Sequence, residues 1–144
     1  ASAQAIDTEH HPVNVTNKRN WTEVHDAMVN VTEGKRGTAK RIRTPLYRIA
    51  GKTGTAQVFT VKQDEEYDEE KIAKKFRDHA LFVAYAPADA PQIAVAVIVE
   101  NGGHGGSTAA PIARKLMDAY LLPKLGMSLN QSTKIPAGFI LGEE

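Results

Sequence analysis

The chain has 144 residues, 42% hydrophobic and 24% charged, with 18 basic and 17 acidic side chains and a formal charge of +1. That balance excludes polyanion binding by bulk charge, and zero cysteines exclude a disulfide framework, a thiolate metal site and a cysteine nucleophile. No run approaches the roughly 18 apolar residues that span a bilayer, and the length predicts one domain or part of one.

Residues 1–18 are polar and without period, and read as an irregular entry. Asn20 three places before Glu23 has the form of a capping box. Trp21, Val24, Met28 and Val31 then recur at helical spacing until Gly34, which predicts a helix over 21–33. Pro45 precedes an alternating stretch, rich in Thr, Val and Phe, that predicts a strand from Leu46 to Phe59. Six acids fall in the seven positions from Asp64 to Glu70 and read as a solvated face. Ile72 and Phe76 then predict a short helix over Lys71–His79.

Two strong strands follow, Ala80–Ala86 and Gln92–Glu100, joined as a hairpin across Pro87–Pro91. In the second, Ile93, Val95, Val97 and Val99 face one way and Ala94, Ala96 and Ile98 the other, which predicts a central strand covered on both faces. The glycine-rich stretch Asn101–Gly106 reads as a flexible loop. Ser107 or Thr108 is placed to cap a helix over 109–122 that ends at Pro123, with Ala109, Ile112, Leu116 and Tyr120 as its buried stripe. Residues 124–144 read as a tail. The sum is an α+β fold, an antiparallel sheet with helices packed on it.

The chemistry concentrates at Lys52-Thr53-Gly54-Thr55. From Lys35 to Lys52 there are seven basic residues and no acid, so an anionic ligand would meet a positive field. On a strand, Lys52 would supply charge and Thr53 and Thr55 hydroxyl donors, while Gly54 would let a carboxylate lie close to the backbone. The same residues also fit an ordinary edge strand with exposed Thr and Lys. Gly51-Lys52-Thr53 ends like a phosphate loop, yet Leu46 stands where that motif needs its first glycine, and a strand follows instead of a helix. Gly103-His104-Gly105-Gly106 fails as a dinucleotide fingerprint, because Thr108 occupies the third glycine position. His10-His11 beside Glu9 read as surface decoration, and the His residues show no metal-site spacing.

Lys-Thr-Gly is one of the three motifs of penicillin-binding proteins and serine β-lactamases, and its surroundings match as well. Gly37-Thr38-Ala39, the run Tyr47–Phe59, Asp78–Pro87 and Ala94–Gly103 together resemble class B penicillin-binding proteins, and among them the penicillin-binding protein 2 group of Gram-negative bacteria. The resemblance spans roughly 20–122 and implies the C-terminal portion, 1–123, of a penicillin-binding/serine β-lactamase-like transpeptidase domain, followed by a tail. It implies a serine D,D-transpeptidase that cross-links peptidoglycan stem peptides ending in D-Ala-D-Ala through an acyl-enzyme, and that β-lactams acylate. Lys52 and Thr55 would then be catalytic: Lys52 orders protons around the nucleophile and Thr55 gives a backbone oxyanion donor. Lys52, Thr53, Gly54 and Thr55 would bind the substrate carboxylate. The family's Ser-x-x-Lys occurs nowhere in the chain, and Ser128-Leu129-Asn130 spells its Ser-x-Asn motif only downstream of the Lys-Thr-Gly strand, where it reads as coincidence. The nucleophile is therefore expected from the rest of the same domain, and this stretch alone is expected to be inactive. No cofactor is implied. The resemblance implies an inner-membrane protein with a periplasmic catalytic domain, working beside a SEDS-family glycosyltransferase of the elongation machinery. A β-lactamase, a D,D-carboxypeptidase and a non-catalytic sensing domain share the fold. A nucleic-acid module using residues 35–52 lacks interleaved aromatics there except Tyr47.

Overall fold

The computed structural model describes residues 13–58 and 77–128. Along it run α1 (Arg19–Glu33), a single 3-10 turn (Lys40–Ile42), β1 (Ala50–Ala56), β2 (His79–Ala86), β3 (Ile93–Val99) and α2 (Ala109–Lys124). The strands form one antiparallel sheet in the order β1-β2-β3, with Lys52 opposite Val83, Gly54 opposite Leu81, and Phe82 flanked by Thr53 and Val97.

Alternation along β2 sorts the two faces. Ala80, Phe82, Ala84 and Ala86 share a buried cluster with Val97 of β3 and with Ala109, Ala110, Ala113, Met117 and Leu121 of α2. Alanines on both surfaces let the helix approach closely, and Phe82 fills the remaining space with no exposed surface. On the opposite face Val29 of α1 packs with Ala50, Ala88 and Tyr85, covering only the end of the sheet where β1 begins. Thr32, fully buried, donates its hydroxyl to the Ile49 carbonyl at 2.6 Å, which ties α1 to the residue before β1.

Several expectations are corrected here. Helix α1 starts at Arg19, not 21, and Asn20 is inside its first turn. Asn17 Oδ1 accepts from the Arg19 N–H at 3.0 Å, while Glu23 pairs with Arg19 and makes no capping box. Trp21 and Val24 are more than half exposed, because the face that meets the sheet is the one carrying Val29 and Thr32. The first strand covers Ala50–Ala56, shorter than 46–59. Before it, Tyr47 turns into the core and Arg48 turns outward to pair with Asp89, whose carboxylate that guanidinium holds below its usual range. Phe59, the acidic run and residues 71–76 of the expected short helix lie outside the described residues, and His79 opens β2.

The central strand is β2, whereas β3 stands at an edge among the described residues, with Ile98 67% exposed. Covering on both faces is therefore not what the described residues show for β3. On α2 the buried stripe is Ala109, Ala110, Ala113, Met117, Leu121 and Leu122, rotated from the expected one, and Ile112, Leu116 and Tyr120 are 42–50% exposed. Neither candidate cap hydroxyl caps α2: Thr108 Oγ1 donates to the Gly102 carbonyl and Ser107 Oγ to that of His104. Pro123 lies inside the helix one residue from its end.

The rotation of α2 follows from Asp118, which is buried because it has two partners. Its Oδ1 accepts from Tyr47 Oη at 2.5 Å and from Arg114 Nε at 2.8 Å. Arg114 Nη1 also donates to the Ile42 carbonyl at 2.8 Å, and its guanidinium lies over the Tyr47 ring. Burial, and next the bond to Asp118, push the Tyr47 phenol above its ordinary value of 10.0. The unfolded chain therefore ionises this group first, so the stabilisation holds below about pH 10 and is lost as pH rises above it. In the full-length protein Tyr47→Phe is expected to flatten the alkaline loss of stability. Urea midpoints of both forms, followed from about pH 9 to about pH 11, check this.

Candidate active site

β1 is one of the two edge strands among the described residues, and it carries Lys52-Thr53-Gly54-Thr55. Because side chains alternate, Thr53 and Thr55 lie on the side of Phe82 and α2, and Lys52 lies on the side of Val83 and α1. The three polar side chains thus flank the strand instead of sharing one face, and a ligand reaches all of them only by lying along the free edge. Lys52 and Thr55 are exposed and Thr53 and Gly54 partly so.

Lys52 lines a hollow of about 350 Å³ with Ala27, Asn30 and Val31 of α1 and with the turn from Gly34 to Thr38. Its Nζ donates to the Thr53 carbonyl at 2.7 Å, which holds the ammonium beside its own strand. Thr53 Oγ1 lies 3.0 Å from Thr38 Oγ1, a hydroxyl pair at the exposed surface. Packing crowds two glycines, Gly51 the more tightly. A Cβ on Gly51 would come within 2.7 Å of Phe82 Cζ, and one on Gly54 within 3.2 Å of Leu81 Cβ.

On the other side of the same turn a cleft of about 570 Å³ is walled by Lys35, Lys40, Arg41 and Arg43. Among the described residues, only Arg43 of these four has an ion pair, through Nε to Glu33 at 2.7 Å. Arg36 shares the Lys52 hollow, and these four cations line the cleft across the turn, so the positive charge expected from the sequence is gathered around the turn beside Lys52. Chemically, the arrangement offers a carboxylate two hydroxyl donors and an ammonium along one strand edge, beside backbone N–H groups of that strand.

The structure brings Lys52, Thr53, Gly54 and Thr55 together as the sequence implies, by adjacency on one strand. It adds Thr38, which sequence reasoning quoted within Gly37-Thr38-Ala39 and gave no role. Only a contact across fourteen intervening residues assigns one, and no local pattern signals it.

With this geometry in place, comparison with known proteins gives the class. The family described as penicillin binding protein transpeptidase domain matches residues 2–118, and the chain belongs to that family. It is 51% identical over 104 residues to the peptidoglycan D,D-transpeptidase MrdA of Acinetobacter baumannii, a match covering 72% of this chain and 15% of that protein. Among solved structures it is similar to Pseudomonas aeruginosa PBP2 in complex with WCK 5153, with a TM-score of 0.67 and 41% identity over 91% of this chain and 26% of that one. It is similar also to Helicobacter pylori PBP2 in its complex with MreC, with a TM-score of 0.64 and 29% identity over 85% of this chain and 21% of that one. The chain thus spans about 15% of the length of the curated relative it matches.

Proposed function

We propose that this chain forms the anion-holding wall of a peptidoglycan D,D-transpeptidase, a serine enzyme of cell-wall elongation. The observation that carries the reading is the Lys52–Thr55 segment on an edge strand of the described sheet, beside a cation-rich turn, in a chain 51% identical over 104 residues to a protein named for that activity. The donor stem peptide would lie along β1 with its terminal carboxylate between the Thr53 and Thr55 hydroxyls. Lys52 would add charge there and order the protons around a serine supplied by the rest of the domain. As the serine attacks the carbonyl carbon of the penultimate D-Ala, negative charge develops on the carbonyl oxygen, and the Thr55 N–H would donate to it. The terminal D-Ala leaves as the amine, and an acceptor amine then takes the acyl group from the serine.

A β-lactam would enter the same track, its carboxylate in the place of the donor's, and its ring opening would leave a stable ester on the serine. By the same likeness the full-length protein would be anchored in the inner membrane with this domain in the periplasm. It would work beside a SEDS-family glycosyltransferase, and the MreC complex of the Helicobacter relative supports a place in an elongation assembly.

Incubating the full-length protein with benzylpenicillin and recording its intact mass tests the reading. One adduct that persists, on a tryptic peptide outside this chain, is the expected result. No adduct would overturn the reading. An adduct lost rapidly by hydrolysis would point to a β-lactamase or D,D-carboxypeptidase on the same fold.

A further inference from the structure

The glycine loop between β3 and α2 reads as a flexible connection in the sequence, yet Gly103 and Gly105 are buried. Its backbone is tied down at several points. The Gly103 N–H donates to the Asp78 carbonyl at 2.8 Å, the Gly105 carbonyl accepts from the Ala110 N–H at 2.9 Å, and the Gly102 carbonyl accepts from Thr108 Oγ1 at 2.8 Å.

Gly54 and Leu81 sit opposite each other and direct their side-chain positions to the α1 face, so on the α2 face their backbones are bare. Gly105 occupies that gap: a Cβ on it would stand 2.1 Å from the Leu81 carbonyl oxygen and 2.6 Å from that of Gly54. Gly106 lies against the next contact, where a Cβ would stand 2.2 Å from the Thr38 carbonyl oxygen and 3.5 Å from Thr53 Cγ2. Thr38 in turn meets Thr53, hydroxyl to hydroxyl, at 3.0 Å.

We propose that Gly105, Gly106 and Thr38 are positioning residues for this edge, with Gly105 setting the direction of the Thr55 N–H and Gly106 with Thr38 setting the Thr53 hydroxyl. The proposal rests on the reading of β1 given above. Its physical link is the planarity of the peptide group. The Gly54 carbonyl and the Thr55 N–H belong to one rigid plane and point in opposite directions. A group that pushes the carbonyl therefore swings the N–H by the same rotation. Gly105 is the residue in contact with that carbonyl, and only a residue without Cβ fits there unmoved. Thr38 acts through the rotor of the Thr53 hydroxyl: by taking one of its hydrogen bonds, it leaves the other direction aimed along the edge.

The test uses the full-length protein and benzylpenicillin, with the acylation kinetics separated into the constant for reversible binding and the first-order acylation rate. Gly105→Ala is expected to lower the acylation rate by about 10–100-fold, part of the loss seen when an oxyanion donor is removed, with a smaller change in reversible binding. Thr38→Val is expected to weaken reversible binding several-fold, and Thr38→Ser to restore it. Gly102→Ala is the control for loop packing. Its Cβ would meet Val99 Cγ1 at 2.8 Å and the Val99 carbonyl at 2.9 Å, with no β1 atom among its nearest neighbours, and it is expected to keep the wild-type acylation rate.

Wild-type kinetics in folded Gly105→Ala, or an equal loss in Gly102→Ala, would overturn the proposal. If Gly105→Ala does not fold, the Thr38 pair decides, and unchanged binding in Thr38→Val would overturn it. A wild-type protein that takes no adduct at all overturns the underlying reading of β1, which is a different result from an acylated wild type with indifferent variants.

Discussion

Lys52→Ala in the full-length protein is expected to slow acylation by benzylpenicillin about 100-fold or more, the scale set by loss of one preorganised electrostatic group from a transition state. The fold is expected to remain, because Lys52 is exposed and its ammonium bonds only locally, to the adjacent Thr53 carbonyl, among the described residues. Surface changes of this kind stay within about 0.5 kcal/mol. Lys52→Arg is expected to recover only part of the rate. It keeps the charge but replaces a compact ammonium, bonded to the Thr53 carbonyl, with a broad planar fork. The readout is the second-order acylation rate constant, with thermal unfolding measured on the same samples. An unchanged rate in Lys52→Ala would remove Lys52 from the site, and a lost fold would assign it a structural role instead.

The largest expected effect on stability falls far from that edge. Asp118→Ala leaves the Arg114 guanidinium without its carboxylate and the Tyr47 hydroxyl without its acceptor, in side chains only 14% exposed for Arg114 and 8% for Asp118. Breaking a buried pair from one side costs about 3–5 kcal/mol, since the remaining charge stays desolvated. Asp118→Asn keeps an acceptor oxygen and is expected to lose less. Replacing Arg114 and Asp118 together by Met and Leu is expected to restore much of the loss, because an apolar pair leaves no orphaned charge. Denaturant midpoints of the three variants decide the matter. A loss below about 1 kcal/mol in Asp118→Ala would show that the network carries little of the contact between α2 and the 40–47 segment.

The sequence disclosed the parts of the fold whose signals are local. The β2–β3 hairpin is announced by alternating apolar residues and a proline-bounded connection, and both strands stand within one residue of expectation. The interval of both helices was also legible to within two residues at each end, with Gly34 capping the first, although Pro123 lies inside the second and does not end it. Which face each helix buries was not. Period alone rejects a stripe containing Asp118, yet Tyr47, 71 residues away, makes that stripe the buried one. Similarly, Trp21 and Val24 satisfy a helical period and still face outward, since the contact with β1 is made further along through Val29 and Thr32. At the site, the Lys-Thr-Gly-Thr strand could be read directly, as a motif and as a chemistry. Its supports could not. Thr38 meets a hydroxyl and Gly105 backbone atoms that lie far along the chain, and such long-range contacts leave no letter pattern beyond the glycine itself.

The most direct test of the central claim is a crystal structure of the full-length protein's transpeptidase domain acylated by benzylpenicillin. The penicilloyl carboxylate is predicted within hydrogen-bond distance, about 2.6–3.2 Å, of the Thr53 and Thr55 hydroxyls, with the acyl oxygen accepting from the Thr55 N–H. A carboxylate bound elsewhere, with the edge of β1 left to solvent, would contradict the assignment of this strand as the anion-holding wall.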